Sequence, residues 1–520
     1  MAPGLSAPRP PGRTDGVRRA LLVVSLGLLL LVGASRPNAA QPDLLPRGWA
    51  PGPLVPVDLG PGVVTAVLWA AYLAGAAAVY LGLRGPAPAL RGWRVPGAVG
   101  VLALLTAPFG SADHISYLAY GRILVTGGDP WVEAPAAWAG GADPVTSRVE
   151  APWTEEPSVY GPFATLLHAL SAWVGGDSLR EGVWMWQVLV VLSWLAVRAA
   201  LRSVLPVERH ARVDVLWTLN PLVLGVGVLG AHVDVVAAAL VLAAVVVAVR
   251  LPEASGALGA GALVGLAGSA KATYAVAALA LAAAWWLLAG PRTAAHRLLT
   301  VVVGMALAAV PLHLWAGTHV YDQLGRSRQA VSLATPWRPL LEGLGGTVGP
   351  FSTRTLISAG AALLAVVLLV ALWRLLHPSA PSDAAAPSDP TDTTAEASLA
   401  LVTLPALAAL ELAYVLAASY SLPWYDILVW AALPAALAGG ADLVALARTT
   451  VAALAYVPGR VLGMTPAVEE LTLGFRRSAA PWLVLAVWVL ALVLSAGVAR
   501  RGSGRPLVPR RAGSPPSPTR

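Results

Sequence analysis

Apolar stretches of about 15 to 22 residues recur along this chain, separated by short loops that carry arginines. Coiled as helices, runs of that length match the hydrocarbon thickness of a bilayer. Composition points the same way. Of the 520 residues 57% are hydrophobic and 12% charged, about half the charge usual in soluble domains, which excludes a soluble enzyme. The 35 basic residues against 27 acidic ones leave a formal charge of +8. Nearly all of that positive charge is arginine, set singly or in pairs at the ends of apolar runs. A nucleic-acid surface would gather its basic residues on one face between aromatics, so the arginines read as topology signals and no nucleic-acid partner is expected. With no cysteine, the chain has neither disulfides nor thiolate metal sites,.

The fold class predicted is an all-α polytopic membrane protein. Arg13, Arg18 and Arg19 precede the first run, 20–34, which places the N-terminus in the cytoplasm and makes that run a retained signal-anchor,. A second run, 63–83, ends at Arg84, Arg91 and Arg94, again inside, and a third, 96–109, delivers a large external loop, 110–183,. Within it, 163–174 is apolar but too short to cross and reads as an interface helix,. Further spans are expected near 183–201, 213–229, 235–249, 257–270, 273–289, 298–316, 355–373, 397–418, 427–440, 443–457 and 480–498, about 14 in all, with both termini cytoplasmic,. Arg250, Arg292, Arg297, Arg374, Arg448 and Arg500 agree with that count. Arg460, Arg476 and Arg477 fall outside, so either the pair 427–457 is miscounted or these arginines work on the external face.

Composition also divides the chain. Residues 1–17 are expected to be a disordered cytoplasmic N-terminus, and 18–376 the longer transmembrane module. Residues 377–396, rich in Pro, Ser, Ala, Thr and Asp, form a disordered linker before a smaller module, 397–500,. A basic Pro-rich tail, 501–520, ends the chain where it can touch anionic lipid,.

The densest polar patch is Asp113 to Arg122, directly beyond the third run. Asp113, Tyr117 and Tyr120 are spaced to share a helix face. Helix capping by Asp113 and interface anchoring by the tyrosines would explain them without chemistry. The rest of the loop, through Glu150, Trp153 and Tyr160, mixes acids with aromatics, as a sugar site needs: rings stack on the pyranose and carboxylates bind hydroxyls. Asn220-Pro221 breaks a span, leaving backbone groups that must be buried or line a cavity,. His232 and Asp234 lie at a turn between spans, where solvent exposure alone would account for them. Lys271, the only lysine of the helical region, either snorkels to the interface or meets an anion such as a lipid-linked phosphate,. Trp424, Tyr425 and Asp426 form an aromatic external turn. The histidines and acids have no diagnostic metal-ligand spacing, so neither a metal nor another cofactor is expected.

The blocks DHISYLAYGRILVTGGDPW, VYGPFATLLHALS, LNPLVLGVGVLGAHVDVVAAALVLA, KATYAVAALAL and SLPWYDILVWAALP resemble the polyprenol-phosphomannose-dependent alpha-1,6-mannosyltransferases of actinobacteria, multispanning glycosyltransferases of the GT-C fold. The resemblance runs over about residues 60 to 500 and implies a large first external loop whose leading acid, Asp113, is the catalytic base. It places Tyr117 and Arg122 in the same block, matches Asn220, His232, Asp234 and Lys271 to family elements, and adds Tyr160, Trp424, Tyr425 and Asp426 as substrate contacts. Val233 stands where the family usually has Asn, and Ala272-Thr273 where a proline is usual. The implied reaction moves mannose from a polyprenyl-phosphate-mannose donor to a glycolipid or oligomannoside acceptor outside the cell membrane. Arg122 or Lys271 would stabilise the phosphate leaving group. The protein is expected to be a monomer among membrane lipids. A multispanning transporter or flippase is the rival reading, and it predicts paired repeats and ionisable groups at mid-helix.

Overall fold

Proline opens helices throughout the chain: Pro61, Pro162, Pro221, Pro291, Pro350 and Pro466 each stand in a first helical turn, where a missing N–H costs nothing. The computed structural model describes residues 13–85, 87–322, 325, 330–377 and 392–503. Among the described residues every regular element is helical. In order they are α1 (Arg13–Ala34), α2 (Pro61–Arg84), α3 (Arg94–Leu105), α4 (Asp113–Val125), α5 (Pro162–Gly175) and α6 (Leu179–Val204). The interrupted span α7 (Val207–Leu229) follows. Next come α8 (Val233–Arg250), α9 (Glu253–Ala270), α10 (Ala277–Ala289), α11 (Pro291–Ala316), α12 (Trp337–Val348) and α13 (Pro350–Leu376). The last are α14 (Asp392–Ala417), α15 (Ile427–Ala432), α16 (Gly440–Tyr456), α17 (Pro466–Gly474) and α18 (Ala480–Ser503).

Ten helical stretches among the described residues are long and apolar enough to cross a membrane. The other four runs expected as spans are built differently. Run 96–109 contains the twelve-residue α3, and 257–270 lies in the Gly/Ala-rich α9, whose glycines let α11 approach: a Cβ on Gly261 would lie 2.2 Å from the Val301 carbonyl oxygen,. Run 427–440 breaks after the six residues of α15, and 443–457 falls in α16, 17 residues long. Helix α1 starts at Arg13 and α14 at Asp392. Residues 1–12, 378–391 and 504–520, which hold the rest of the expected N-terminus, linker and tail, lie outside the described residues.

The core contains four fully buried tryptophans, 186, 194, 217 and 430. Three of them donate their indole N–H inside the bundle: Trp186 to the Ala231 carbonyl, Trp217 to the Trp194 carbonyl and Trp430 to Thr449 Oγ1,. Helices α11 and α13 leave most of their apolar side chains outward, including Leu299, Leu307, Leu314 and Leu363, as lipid-facing helices do.

Backbone hydrogen bonds bring the ends of α1, α3 and α7 to one end of the bundle: Ala107 N–H to the Gly33 carbonyl, Phe109 N–H to Leu229 and Gly110 N–H to Ala40. The break in α7, in the middle of the span, is sealed by Asn220. Its side-chain oxygen accepts from the Leu222 N–H at 3.0 Å, and its amide donates to the Leu216 carbonyl at 3.0 Å, so one residue satisfies both halves of the broken helix.

Candidate active site

Asp113 opens α4 just beyond the end of α3, and its own N–H is held by Ser111 Oγ at 3.2 Å. Its carboxylate oxygen Oδ2 lies 3.6 Å from His232 Nδ1. His232, at the start of α8, is buried and stacks on Trp424 with ring centroids 3.6 Å apart and planes 13° from parallel. Ser111 Oγ and Tyr117 OH each lie 3.4 Å from a ring nitrogen of His232. Two residues further on, buried Asp234 receives Lys271 Nζ at 2.6 Å and the Tyr274 hydroxyl at 3.2 Å on the same oxygen. The Lys271 ammonium also lies 3.7 Å from the centre of the Tyr425 ring, a cation–π contact. His232 and Asp234 are therefore interior residues of a charged layer, and exposure at a turn does not account for them.

The helix face expected from spacing is present. Tyr117 stacks on His168 of α5 at 4.7 Å, meets Tyr160 edge-on at 4.9 Å, and Tyr120 OH donates to the Glu156 carbonyl. The loop carrying Tyr160 docks on the end of α9 through Gly161: its N–H points to the Ala270 carbonyl, and a Cβ there would lie 2.1 Å from the Ser269 carbonyl oxygen. Only glycine allows that approach, which seats Tyr160 beside the Lys271 helix.

Burial is the main force on Asp113 and raises its carboxyl to about 7, with the Lys271 charge opposing and the Asp234 charge adding to the rise,. Burial, and after it the Lys271 charge, holds His232 well below its usual range. At neutral pH Asp113 thus faces a neutral imidazole and stands poised between its acid and base forms.

Asp113 lies on the wall of a cavity of about 350 Å³. Glu150, Trp153 and Tyr420 line it together with three arginines, Arg448, Arg460 and Arg476. Arg460 binds both carboxylate oxygens of Glu150, with Nε to Oε2 at 2.9 Å, and donates to the Asn38 carbonyl at 2.8 Å. Its loop passes so close to the start of the site that a Cβ on Gly459, where φ is +98°, would lie 1.8 Å from the Gly110 oxygen. Arg448 donates to Ser421 Oγ at 2.6 Å and to the Val415 carbonyl at 3.4 Å, and Asp426 lies 3.6 Å away. Arg476 donates to the Ala455 and Tyr456 carbonyls at 2.6 and 3.0 Å and lies over the Tyr456 ring.

Several residues expected at the site take other positions. Arg122 is bound to Asp143 at 2.9 Å, Asp177 at 2.6 Å and the Gly176 carbonyl at 3.1 Å, a staple across the external loop away from the cavity lining. Asn220 uses its side chain on the helix break. Lys271 is paired with Asp234 and does not line the cavity. Asp426 accepts from Thr449 Oγ1 at 2.6 Å, behind the wall rather than on it. Arg448, taken from the sequence as an inner-face charge, instead points from α16 to Ser421 in the same turn as Trp424.

Sequence reasoning missed the arginine wall and also Glu411, buried within the span of α14. Both left a signal. Arg460 and Arg476 were the arginines that violated the inside rule, and an acid inside an apolar run is a functional candidate by default.

Residues 26–290 match the family described as "Alpha-(1->6)-mannopyranosyltransferase, N-terminal domain". Alpha-(1->6)-mannopyranosyltransferase B of Corynebacterium glutamicum is 32% identical over 126 residues, 23% of this chain and 20% of that protein. Alpha-(1->6)-mannopyranosyltransferase A of the same organism is 29% identical over 185 residues, 35% of this chain and 36% of that protein. The matched stretches therefore span only a fifth to about a third of these relatives. The crystal structure of ArnT from Cupriavidus metallidurans bound to undecaprenyl phosphate aligns with a TM-score of 0.40 at 15% identity, covering 79% of this chain and 78% of that one.

Proposed function

The chain belongs to the alpha-(1->6)-mannopyranosyltransferase family, and we propose that it moves mannose from a polyprenyl-phosphate-mannose donor to a hydroxyl of a glycolipid or oligomannoside, forming an alpha-1,6 bond on the external face of the cell membrane. The observation that carries this reading is Asp113, a carboxylate tuned to about 7, on the wall of a cavity that also holds cationic side chains.

The acceptor hydroxyl oxygen attacks C1 of the mannose while the bond from C1 to the phosphate oxygen breaks. Asp113 takes the hydroxyl proton, and the phosphate oxygen keeps the bonding pair as a lipid monophosphate. A general base suits this chemistry because the phosphate leaves as an anion and needs positive charge more than a proton. His232, locked on Trp424 and facing Asp113, holds the carboxylate in place. The external location is supported by charge asymmetry. Arg18, Arg198, Arg202, Arg212 and Arg250 cluster at the opposite end of the bundle from Asp113, as cytoplasmic ends do.

The test is incubation of membranes containing the protein with radiolabelled polyprenyl-phosphate mannose and a short mannoside, in parallel with a nucleotide-linked mannose. Elongation of the mannoside from the lipid-linked donor alone is the expected result. Elongation from the nucleotide donor, or none from the lipid donor, sinks the proposal.

A further inference from the structure

At the end of the bundle away from Asp113, α3 stops short of its neighbour. Its twelve residues rise about 18 Å, well under the roughly 30 Å of a bilayer's hydrocarbon layer. Helix α6 runs antiparallel beside it. Trp184 donates to the Leu104 carbonyl at 3.1 Å, a Cβ on Gly100 would lie 3.1 Å from Val191, and the Arg198 guanidinium lies 4.7 Å from the centre of the Trp93 ring. Beyond Arg198, α6 continues to Val204, past the start of α3. The step between the two helices is an open cavity of about 330 Å³, lined by Gly92, Trp93, Arg198, Ala199, Arg202 and Ser203.

Both charged residues of that lining are basic. Arg198 and Arg202 share Asp214 at 3.1 Å each, and its carboxylate also takes the Leu90 N–H at 2.7 Å. Two guanidinium groups against one carboxylate leave positive charge in excess. Nη2 of Arg198, whose side chain is 2% exposed, has no hydrogen-bond partner among the described residues. A buried donor left open is costly unless an acceptor completes it. The surroundings add to the charge. Arg250 donates to the Ser203 carbonyl at 2.5 Å, and exposed Arg91 and Arg94 stand on either side of Trp93 in the sequence. Glu208, the acid that follows α6, is exposed and does not line the cavity. The first turn of α3 opens here as well, with the positive end of its dipole,.

The rim is apolar. Trp93 is half exposed, and Val101 and Leu102 of α3 and Leu192 of α6 are exposed above it. In a bilayer such side chains meet acyl chains, while a tryptophan at a helix end sits at headgroup level. We infer that this notch binds the phosphate of an anionic glycerophospholipid from the leaflet on the side away from Asp113. Arg202 and the open donor of Arg198 meet the phosphate oxygens, and an acyl chain lies along α3 and α6. The lipid then braces a helix that has little else to hold it, because α3 buries only Pro96, Gly100 and Ala103 and its far end leads to Asp113. This site is separate from the cavity that holds Asp113 and takes no part in transfer.

Equilibrium binding of radiolabelled phosphatidylglycerol to the full-length protein in detergent tests the inference. Unlabelled phosphatidylglycerol, phosphatidylcholine and glycerol 1-phosphate are the competitors, and only the first should displace the label well. Arg202→Gln should weaken binding about tenfold. Arg202→Lys should recover part, since it keeps the charge and loses the guanidinium fork, and Trp93→Ala should weaken binding less than Arg202→Gln. Asp113→Asn should bind as the parent does. So should Arg36→Gln, which removes an exposed arginine paired with Asp58 and so controls for general attraction to basic surface. Melting temperatures without added lipid separate loss of the site from loss of the fold.

Undiminished binding in both Arg202→Gln and Trp93→Ala overturns the inference. Phosphatidylcholine competing as well as phosphatidylglycerol overturns the role of the charge, and glycerol 1-phosphate competing as well replaces the lipid by a free phosphate. No sugar donor enters the measurement, so failure of mannose transfer leaves this site standing, and loss of the site leaves the proposed function standing.

Discussion

The two ends of the bundle handle buried charge in opposite ways. At the end away from the cavity, Asp214 takes Arg198 at 3.1 Å, Arg202 at 3.1 Å and the Leu90 N–H at 2.7 Å. Asp442 takes Arg212 through both oxygens and the Gly439 N–H at 2.9 Å. These carboxylates are saturated, and each ties together elements distant in sequence. At the cavity end Asp113, Asp234, Glu411 and Asp426 gather around one lysine and Arg448, and oxygens of Asp234 and Asp426 remain without a hydrogen bond. The first arrangement suits a clamp and the second suits chemistry, because a carboxylate that is already saturated cannot accept a proton usefully near neutral pH.

Removing basicity at the cavity end should have the largest effect. Asp113→Asn should lower the transfer rate by about 10²- to 10⁴-fold with the melting temperature of the purified protein unchanged. A variant that turns over normally would take the base role from Asp113 and blur the distinction between the ends.

The converse change, Asp214→Ala, should unfold the protein rather than disarm it. It leaves the buried Arg198 guanidinium without its partner, at a cost of about 3–5 kcal/mol, read as a lower melting temperature and poor recovery from detergent. Transfer per folded molecule should stay near that of the parent.

The pH profile sharpens the contrast. Asp113 is raised to about 7, and as a base it works only when ionised, so the rate should fall as pH drops through that value. Lys271 is the charge that opposes the rise, so Lys271→Met should move this acidic limb to higher pH, each unit of displacement costing about tenfold in the ionised form on the acid side. Activity that returns in alkaline buffer marks an electrostatic role. A uniform loss at every pH would mark a structural one.

The smallest effect is expected for Asp177→Asn. Asp177 is mostly exposed and forms the outer half of the Arg122 staple, so its loss should change stability by roughly 0–1 kcal/mol. Arg122 keeps Asp143, whose carboxyl is pushed up by burial but held below the usual carboxylate range by the Thr146 N–H, the Arg122 guanidinium and the Val145 N–H together. A large loss of transfer in this variant would bring Arg122 back to the site.

Much of the cavity end was legible in the sequence because its residues stand close together in the chain. Asp113, Tyr117 and Tyr120 follow helical spacing, and His232 and Asp234 flank one helix start. Arg448, Arg460 and Arg476 were not legible as a group. They come from α16, a loop and the segment after α17, far apart in sequence, and the inside rule weighs such residues one by one as topology marks. The staple made by Arg122 was not legible either. Its neighbours in sequence are site residues, but its partners, Asp143 and Asp177, are reached only once the loop folds back.

Length and apolar periodicity by themselves determined that this chain is a helical membrane protein with a polar loop after its third apolar run, because bilayer thickness and backbone hydrogen bonding allow little else. Pairing was decided by tertiary structure alone. The same kind of residue became a clamp at Arg198, a staple at Arg122 and a cavity wall at Arg476, according to which carboxylate, if any, the packed helices brought within reach. Charge interactions depend on distance and burial, and neither is written in the order of the residues.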